Sequence, residues 1–119
     1  MDTQELSSAL ANFTGSGNYY QHPLTKLKYT EGVKYLADQA KAYWFIDLVM
    51  SYQTWKFRSK NEFQVWTLKP GRTNAAVAVC DDGNGKVLRR QSIPYTDFPL
   101  ELGIKLYFEN GVLCLPSER

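Results

Sequence analysis

The chain has 119 residues, 14 Lys and Arg against 12 Asp and Glu, a net charge of +2, and 44% hydrophobic and 14% aromatic content. That length reads as one domain, residues 1–119, able to bury one core without disulfide or metal staples; the aromatic content argues against disorder, and 8 Gly and 5 Pro without a pattern exclude collagen-like and low-complexity classes. The near balance of charge gives no field that alone implies nucleic-acid or membrane binding, and it excludes an acidic imitation of the DNA backbone.

Residues 3–13 predict a short amphipathic helix, because Leu6, Ala9, Leu10 and Phe13 recur at helical spacing. Asp2 with Glu5 resembles a capping box, and residues 14–18, rich in Gly, Ser and Asn, stop the helix. Residues 19–29 hold Tyr19, Tyr20, His22, Pro23, Leu24 and Tyr29 and read as an ordered aromatic loop, with room for one extended piece. Residues 31–52 give the strongest helical pattern. Thr30 suits the N-cap and Glu31 the positive end of the helix dipole. Val33, Leu36, Ala37, Ala40, Trp44, Leu48 and Ser51 form one stripe if the helix is continuous, with a break allowed near 39–41. Its second half is apolar nearly all round, which predicts a central, covered helix. Residues 53–61 are a basic and aromatic connection.

From residue 62 the apolar period changes to two, and strands are expected at about 62–68, 75–80, 86–93, 104–109 and 112–115. The second is too apolar for one face to be freely solvated. Asp81-Asp82-Gly83-Asn84-Gly85 reads as a hairpin turn; it lacks the calcium-loop pattern, with Ser92 where a ligating Glu would stand. Asn110-Gly111 favours a type I′ turn, because both central residues need positive φ. That turn sets Phe108 opposite Leu113 and puts Ile104, Leu106, Phe108, Leu113 and Leu115 on one buried face. The expected fold is α+β: N-terminal helices (about 1–52) packed on one face of an antiparallel sheet of about five strands (about 62–116).

The first residues lack a secretion signal, and the longest apolar run, 42–50, is broken by Asp47 and falls far short of the roughly 20 residues that cross a bilayer. A cytoplasmic protein without membrane contact is expected. Cys80 and Cys114 then read as reduced core thiols, although a disulfide cannot be judged from spacing.

His22 is the only histidine, which excludes a metal site built on several imidazoles; no metal site and no cofactor are expected. Asp38, Asp47, Asp97 and Glu101 are carboxylates that could pair with it. Asp47 stands within the apolar octet 43–50, with Tyr43 and Ser51 on the same helical face. It reads either as a perturbed acid in a pocket, with Tyr43 and His22, or as a buried structural anchor; the structural reading is preferred. No phosphate-binding glycine loop, nucleophile elbow or paired Cys-x-x-Cys motif is present. Trp55, Lys56, Phe57, Arg58 and Lys60 interleave aromatics with cations, a pattern that can bind nucleic acid with help from Arg89 and Arg90. The alternative is a loop with its aromatics in the core and its cations in water. Tyr19, Tyr20, Tyr29, Tyr35, Tyr52 and Tyr95 exceed the needs of a small core and suit a protein-binding surface.

Several segments together resemble a small bacterial family of uncharacterised proteins, met in chromosomes and on plasmids and other mobile elements. They are Phe13-Thr14-Gly15 with Asn18-Tyr19-Tyr20, residues 29–37, Ala42-Tyr43-Trp44 with Asp47, residues 63–66, residues 82–85, and residues 95–100 followed by 109–118. The resemblance spans nearly the whole chain and implies one intact domain. It brings no activity, cofactor or site residue; its mobile-element setting implies an accessory or defence-related role.

The reading that follows is a non-enzymatic interaction module that binds a protein partner or itself through aromatic surface, with an exposed apolar patch and no polar cleft. An inhibitor of a host defence complex is one concrete form. The alternatives are a ligand-binding or enzymatic pocket at Asp47, Tyr43 and His22, and a nucleic-acid surface at Lys56–Lys60. The candidate residues are Tyr19, Tyr20, His22, Tyr43, Asp47, Trp55, Lys56 and Arg58.

Overall fold

The structure, a computed structural model, describes residues 3–14, 17–71, 74–100 and 103–119. The expected Asp2 cap, the middle of the 14–18 stop and Glu101 lie outside the described residues.

Helix α1 (Thr3–Ala11) buries Leu6 and Leu10, and beyond it Phe13 tilts against Tyr35 at 5.4 Å between ring centres. The aromatic segment is a β-hairpin rather than a loop. Strand β1 (Tyr19–Gln21) pairs antiparallel with β2 (Lys28–Thr30), closed by bonds from the His22 N–H to the Leu27 carbonyl and from the Lys26 N–H to the His22 carbonyl.

Thr30 caps α2 (Glu31–Ala40) as expected, its hydroxyl accepting the Val33 N–H at 3.3 Å. Lys41 then takes a left-handed conformation, φ 53°, and its N–H and that of Ala42 both go to the Ala37 carbonyl. Helix α3 (Tyr43–Ser51) therefore starts with a new rotation. It buries Phe45, Ile46, Val49 and Met50, while Trp44 and Leu48 are only half-buried. The continuous stripe through Trp44 and Leu48 is corrected by this break: one left-handed residue rotates everything after it. The basic connection contains a helix of its own, α4 (Trp55–Lys60), capped by the Thr54 hydroxyl, with Phe57 turned into the core.

Among the described residues the sheet has seven strands, not about five, and is mixed, not wholly antiparallel. Its remaining strands are β3 (Phe63–Pro70), β4 (Ala76–Asp81), β5 (Val87–Ile93), β6 (Ile104–Glu109) and β7 (Val112–Cys114), in the order β1-β2-β7-β6-β3-β4-β5. Every pair is antiparallel except β2 with β7. The two extra strands come from the aromatic hairpin, which docks beside the last strand; the Lys28 N–H also reaches the Gly111 carbonyl at 3.0 Å. The C-terminal hairpin has the expected register, Phe108 opposite Leu113, with Asn110 and Gly111 both at positive φ.

Period-two geometry then fixes the core. On one face, Trp66 stands beside Cys80 and Leu106, Leu68 beside Ala78, and Gln64 beside Phe108, all buried under the helices. Strand β4 also buries Val79 on the other face, in line with its apolar sequence. Cys80 and Cys114 are buried free thiols; burial pushes them up to about 12 and about 11, so neither presents a thiolate near neutrality. Among the described residues no helix is long and apolar enough to cross a membrane.

Two internal contacts hold the layers in place. Gln64, fully buried, exchanges amide bonds with Gln53 at 2.7 and 2.8 Å, donates to the Asn61 carbonyl at 2.9 Å and accepts the Trp66 indole N–H at 2.8 Å. Gln53 also donates to the Val49 carbonyl at 3.1 Å, so β3 is tied to the ends of α3 and α4. At the other end of the core, Glu118, in a 3-10 turn (Pro116–Glu118), accepts from the Thr30 hydroxyl at 2.5 Å, the Gly32 N–H at 3.1 Å and the Leu115 N–H at 3.0 Å. A carboxylate at the start of α2 suits the helix dipole. Gly32 leaves room for this clasp: a Cβ would lie 2.6 Å from both Leu115 Cδ1 and Glu118 Oε1, so those side chains would have to shift.

Candidate functional site

The hairpin β1–β2 lies against α2 and α3 and carries an exposed aromatic face. Successive strand residues point to opposite sides, so Tyr20 and Tyr29, cross-strand partners, stack on one side with ring centres 5.8 Å apart. Tyr19 is paired with the buried Thr30, which places it on the other side, although its own ring is 53% exposed. Tyr19 and Tyr20, both candidates for a protein-binding surface, thus lie on opposite sides of the hairpin.

Charged groups brace this face. The Lys34 ammonium lies 5.4 Å from the centre of the Tyr20 ring and donates to Asp38 at 2.8 Å, one helical turn on. Asp38 also accepts the Tyr43 hydroxyl at 2.5 Å. The Lys34 and Tyr43 bonds hold the Asp38 carboxyl below its usual range. The same bond to Asp38 raises Tyr43, and burial raises Tyr29, so both phenols stay protonated at neutral pH. Three tyrosines, one lysine and one aspartate form a continuous polar-edged aromatic surface.

His22 and Asp47 meet beside it. The His22 ring, in a residue only 5% exposed, sets Nε2 2.9 Å from Asp47 Oδ1. Its Nδ1 lies 3.1 Å from the Thr25 hydroxyl oxygen and accepts the Thr25 N–H at 3.3 Å. With that N–H aimed at Nδ1, the neutral ring carries its proton on Nε2 and donates it to Asp47. Asp47 is not a buried acid: its side chain is 69% exposed, because the restart of α3 turns it outward. Tyr43 bonds Asp38 instead of Asp47, so of the three residues only His22 and Asp47 are bonded to each other.

The alignment Thr25–His22–Asp47 has the order of a hydroxyl, an imidazole and a carboxylate, the parts of a nucleophilic triad. Its setting is that of a turn. The Thr25 hydroxyl accepts the Leu27 N–H at 3.3 Å, and the ring fills the loop that closes β1–β2. Five clefts among the described residues have linings that leave out His22, Thr25, Asp47 and Tyr43. The group ties the hairpin to α3.

Trp55, Lys56 and Arg58 lie apart, on α4. Trp55 and Arg58 line a cleft of about 300 Å³ with Ser59, Glu62 and the Asn110–Gly111 turn. Lys56 lines another of about 520 Å³ with Lys60, Lys86 and Arg89. A polar cleft is therefore present, contrary to expectation. Among the described residues no group of three or more His, Cys, Asp or Glu side chains could hold a metal ion. Sequence reasoning did not single out Lys34, Gln53, Gln64, Lys86 or Glu118. The i, i+4 pair Lys34–Asp38 was readable, and so was Gln64, a polar residue in phase with Trp66 and Leu68.

The chain belongs to a family of unknown function, DUF6876, whose model matches residues 4–119. A search among curated proteins and among solved structures found no match.

Proposed function

We propose that this protein is a non-enzymatic interaction module that engages a partner protein through the face formed by Tyr20, Tyr29 and Tyr43. The observation that carries this reading is the bracing of those rings: Tyr20 stacked on Tyr29 under Lys34, and Tyr43 fixed by Asp38. Rings held in place at the water boundary lose little freedom on binding, and Tyr is among the residues that anchor interfaces. The charges at the rim favour a partner with polar groups around an apolar centre. An accessory protein of a bacterial mobile element that silences a host defence complex by covering its surface is one form of this role. A second copy of the chain is the other partner this face suits. An enzymatic reading rests on the Thr25–His22–Asp47 alignment alone, and none of the five clefts described above is lined by it.

The test is affinity capture from the native host with wild type and with Tyr20→Ala/Tyr43→Ala, quantified by mass spectrometry, beside light scattering of the purified chain for self-association. The double variant should keep its circular dichroism and lose at least tenfold of the specific partner or of the dimer. Equal recovery with both proteins overturns the reading.

A further inference from the structure

The cleft between α4 and β5 is the least explained part of the surface. Its walls are Thr54, Lys56, Phe57, Lys60, Asn61, Lys86, Leu88 and Arg89, and it encloses about 520 Å³. Four of these side chains are cations and none is a carboxylate. Among the described residues, no ion pair engages Lys56, Lys60, Lys86 or Arg89. The Arg89 guanidinium is fixed, 4.5 Å from the centre of the Phe57 ring and donating to the Leu88 carbonyl at 2.6 Å. A guanidinium has five N–H groups, so further donors remain for a ligand. Like charges gathered around one opening repel one another unless an anion joins them.

Trp55, 79% exposed, lies on the opposite side of α4, in the cleft with Arg58 and Glu62, and takes no part here. A groove lined by cations is what proteins use to track the backbone of unpaired nucleic acid. Six helical residues span about 9 Å, which suits a few phosphates of one strand and not the breadth of a duplex.

We propose that the cleft between α4 and β5 binds the phosphodiester backbone of single-stranded nucleic acid. Four phosphates on Lys56, Lys60, Lys86 and Arg89 would give a slope of log affinity against log salt of about −2.8. A fourfold rise in salt then weakens binding about fifty-fold. This site is separate from the tyrosine face, and either can fail alone.

The experiment is fluorescence anisotropy with labelled oligothymidylate and oligouridylate of about twelve nucleotides. Wild type should bind one or both with the steep salt dependence above. Lys56→Glu and Lys86→Glu should each weaken binding at least tenfold, while Lys105→Glu, an equal charge change at an exposed position of β6 three strands away from β5, should stay within threefold. Trp55→Ala, on the opposite side of α4, should stay within threefold of wild type. All variants should keep the wild-type melting temperature. No binding at low salt, a flat salt response, or equal losses from Lys56→Glu and Lys105→Glu overturns the proposal. So does equal affinity for a polyglutamate of similar length, which would make the cleft a reader of negative charge alone.

Discussion

The glutamine pair under the sheet and the tyrosine–aspartate–lysine chain on the hairpin are built from bonds of similar length. The first runs from 2.7 to 3.1 Å and the second from 2.5 to 2.8 Å. Their surroundings differ. Gln64 has no access to water, whereas Lys34, Asp38 and Tyr43 are partly wet. A buried amide that loses its partner has nothing to replace it, while an exposed carboxylate exchanges a side-chain donor for water. Bond length therefore says little about which cluster supports the fold and which is available to a partner; burial decides it.

The largest effect that would break this comparison comes from Gln64. Gln64→Ala strands the Gln53 amide and the Trp66 indole N–H in the interior and should cost about 3 kcal/mol in urea unfolding. A loss under about 1 kcal/mol would mean that water enters and that the interior network is not special. Gly32→Ala comes next, because its Cβ must displace Leu115 or Glu118; about 2 kcal/mol is expected, read as a lower melting temperature.

Asp38→Asn should leave the urea midpoint nearly unchanged and show itself in titration instead. Tyr43 is raised by its bond to Asp38, so followed by phenolate absorbance it should ionise at lower pH in the variant. The signs of the pH dependence differ within the cluster. The raised Tyr43 contributes stability below its ordinary value of about 10, and loses it as pH rises through the raised one. The lowered Asp38 contributes above its ordinary value of about 4, and loses it as pH falls through the depressed one. The smallest change should be that of the thiols. With Cys80 near 12 and Cys114 near 11, a disulfide reagent at pH 8 should label the folded chain far more slowly than the unfolded one.

The same contrast explains what could be read in advance. The Asn110–Gly111 hairpin was legible to the register because turn chemistry and a period of two agreed over ten residues. The Thr30 cap and a break near 39–41 were legible for local reasons too. Strands β1 and β2 were not, since three residues are too short to show a period and the pairing with β7 depends on a segment more than 80 positions away. Asp47 was misplaced because one residue, Lys41, resets the rotation of the helix. Of the candidate residues, His22 and Asp47 do come together and Tyr20 and Tyr43 share a face. Tyr19 is turned away, and Trp55, Lys56 and Arg58 belong to α4. The partners of Gln64 and Glu118 are set by tertiary packing, which no local pattern carries.

The clasp at Glu118 has a consequence for the order of events at the ribosome. The Thr30 hydroxyl and the Gly32 N–H reach forward 88 and 86 positions for their acceptor. Until residues 112–118 have been synthesised and have left the exit tunnel, the start of α2 lacks that carboxylate and β2 lacks its parallel neighbour. The nascent segment before them must therefore wait, with apolar side chains uncovered, for those residues to lock it shut.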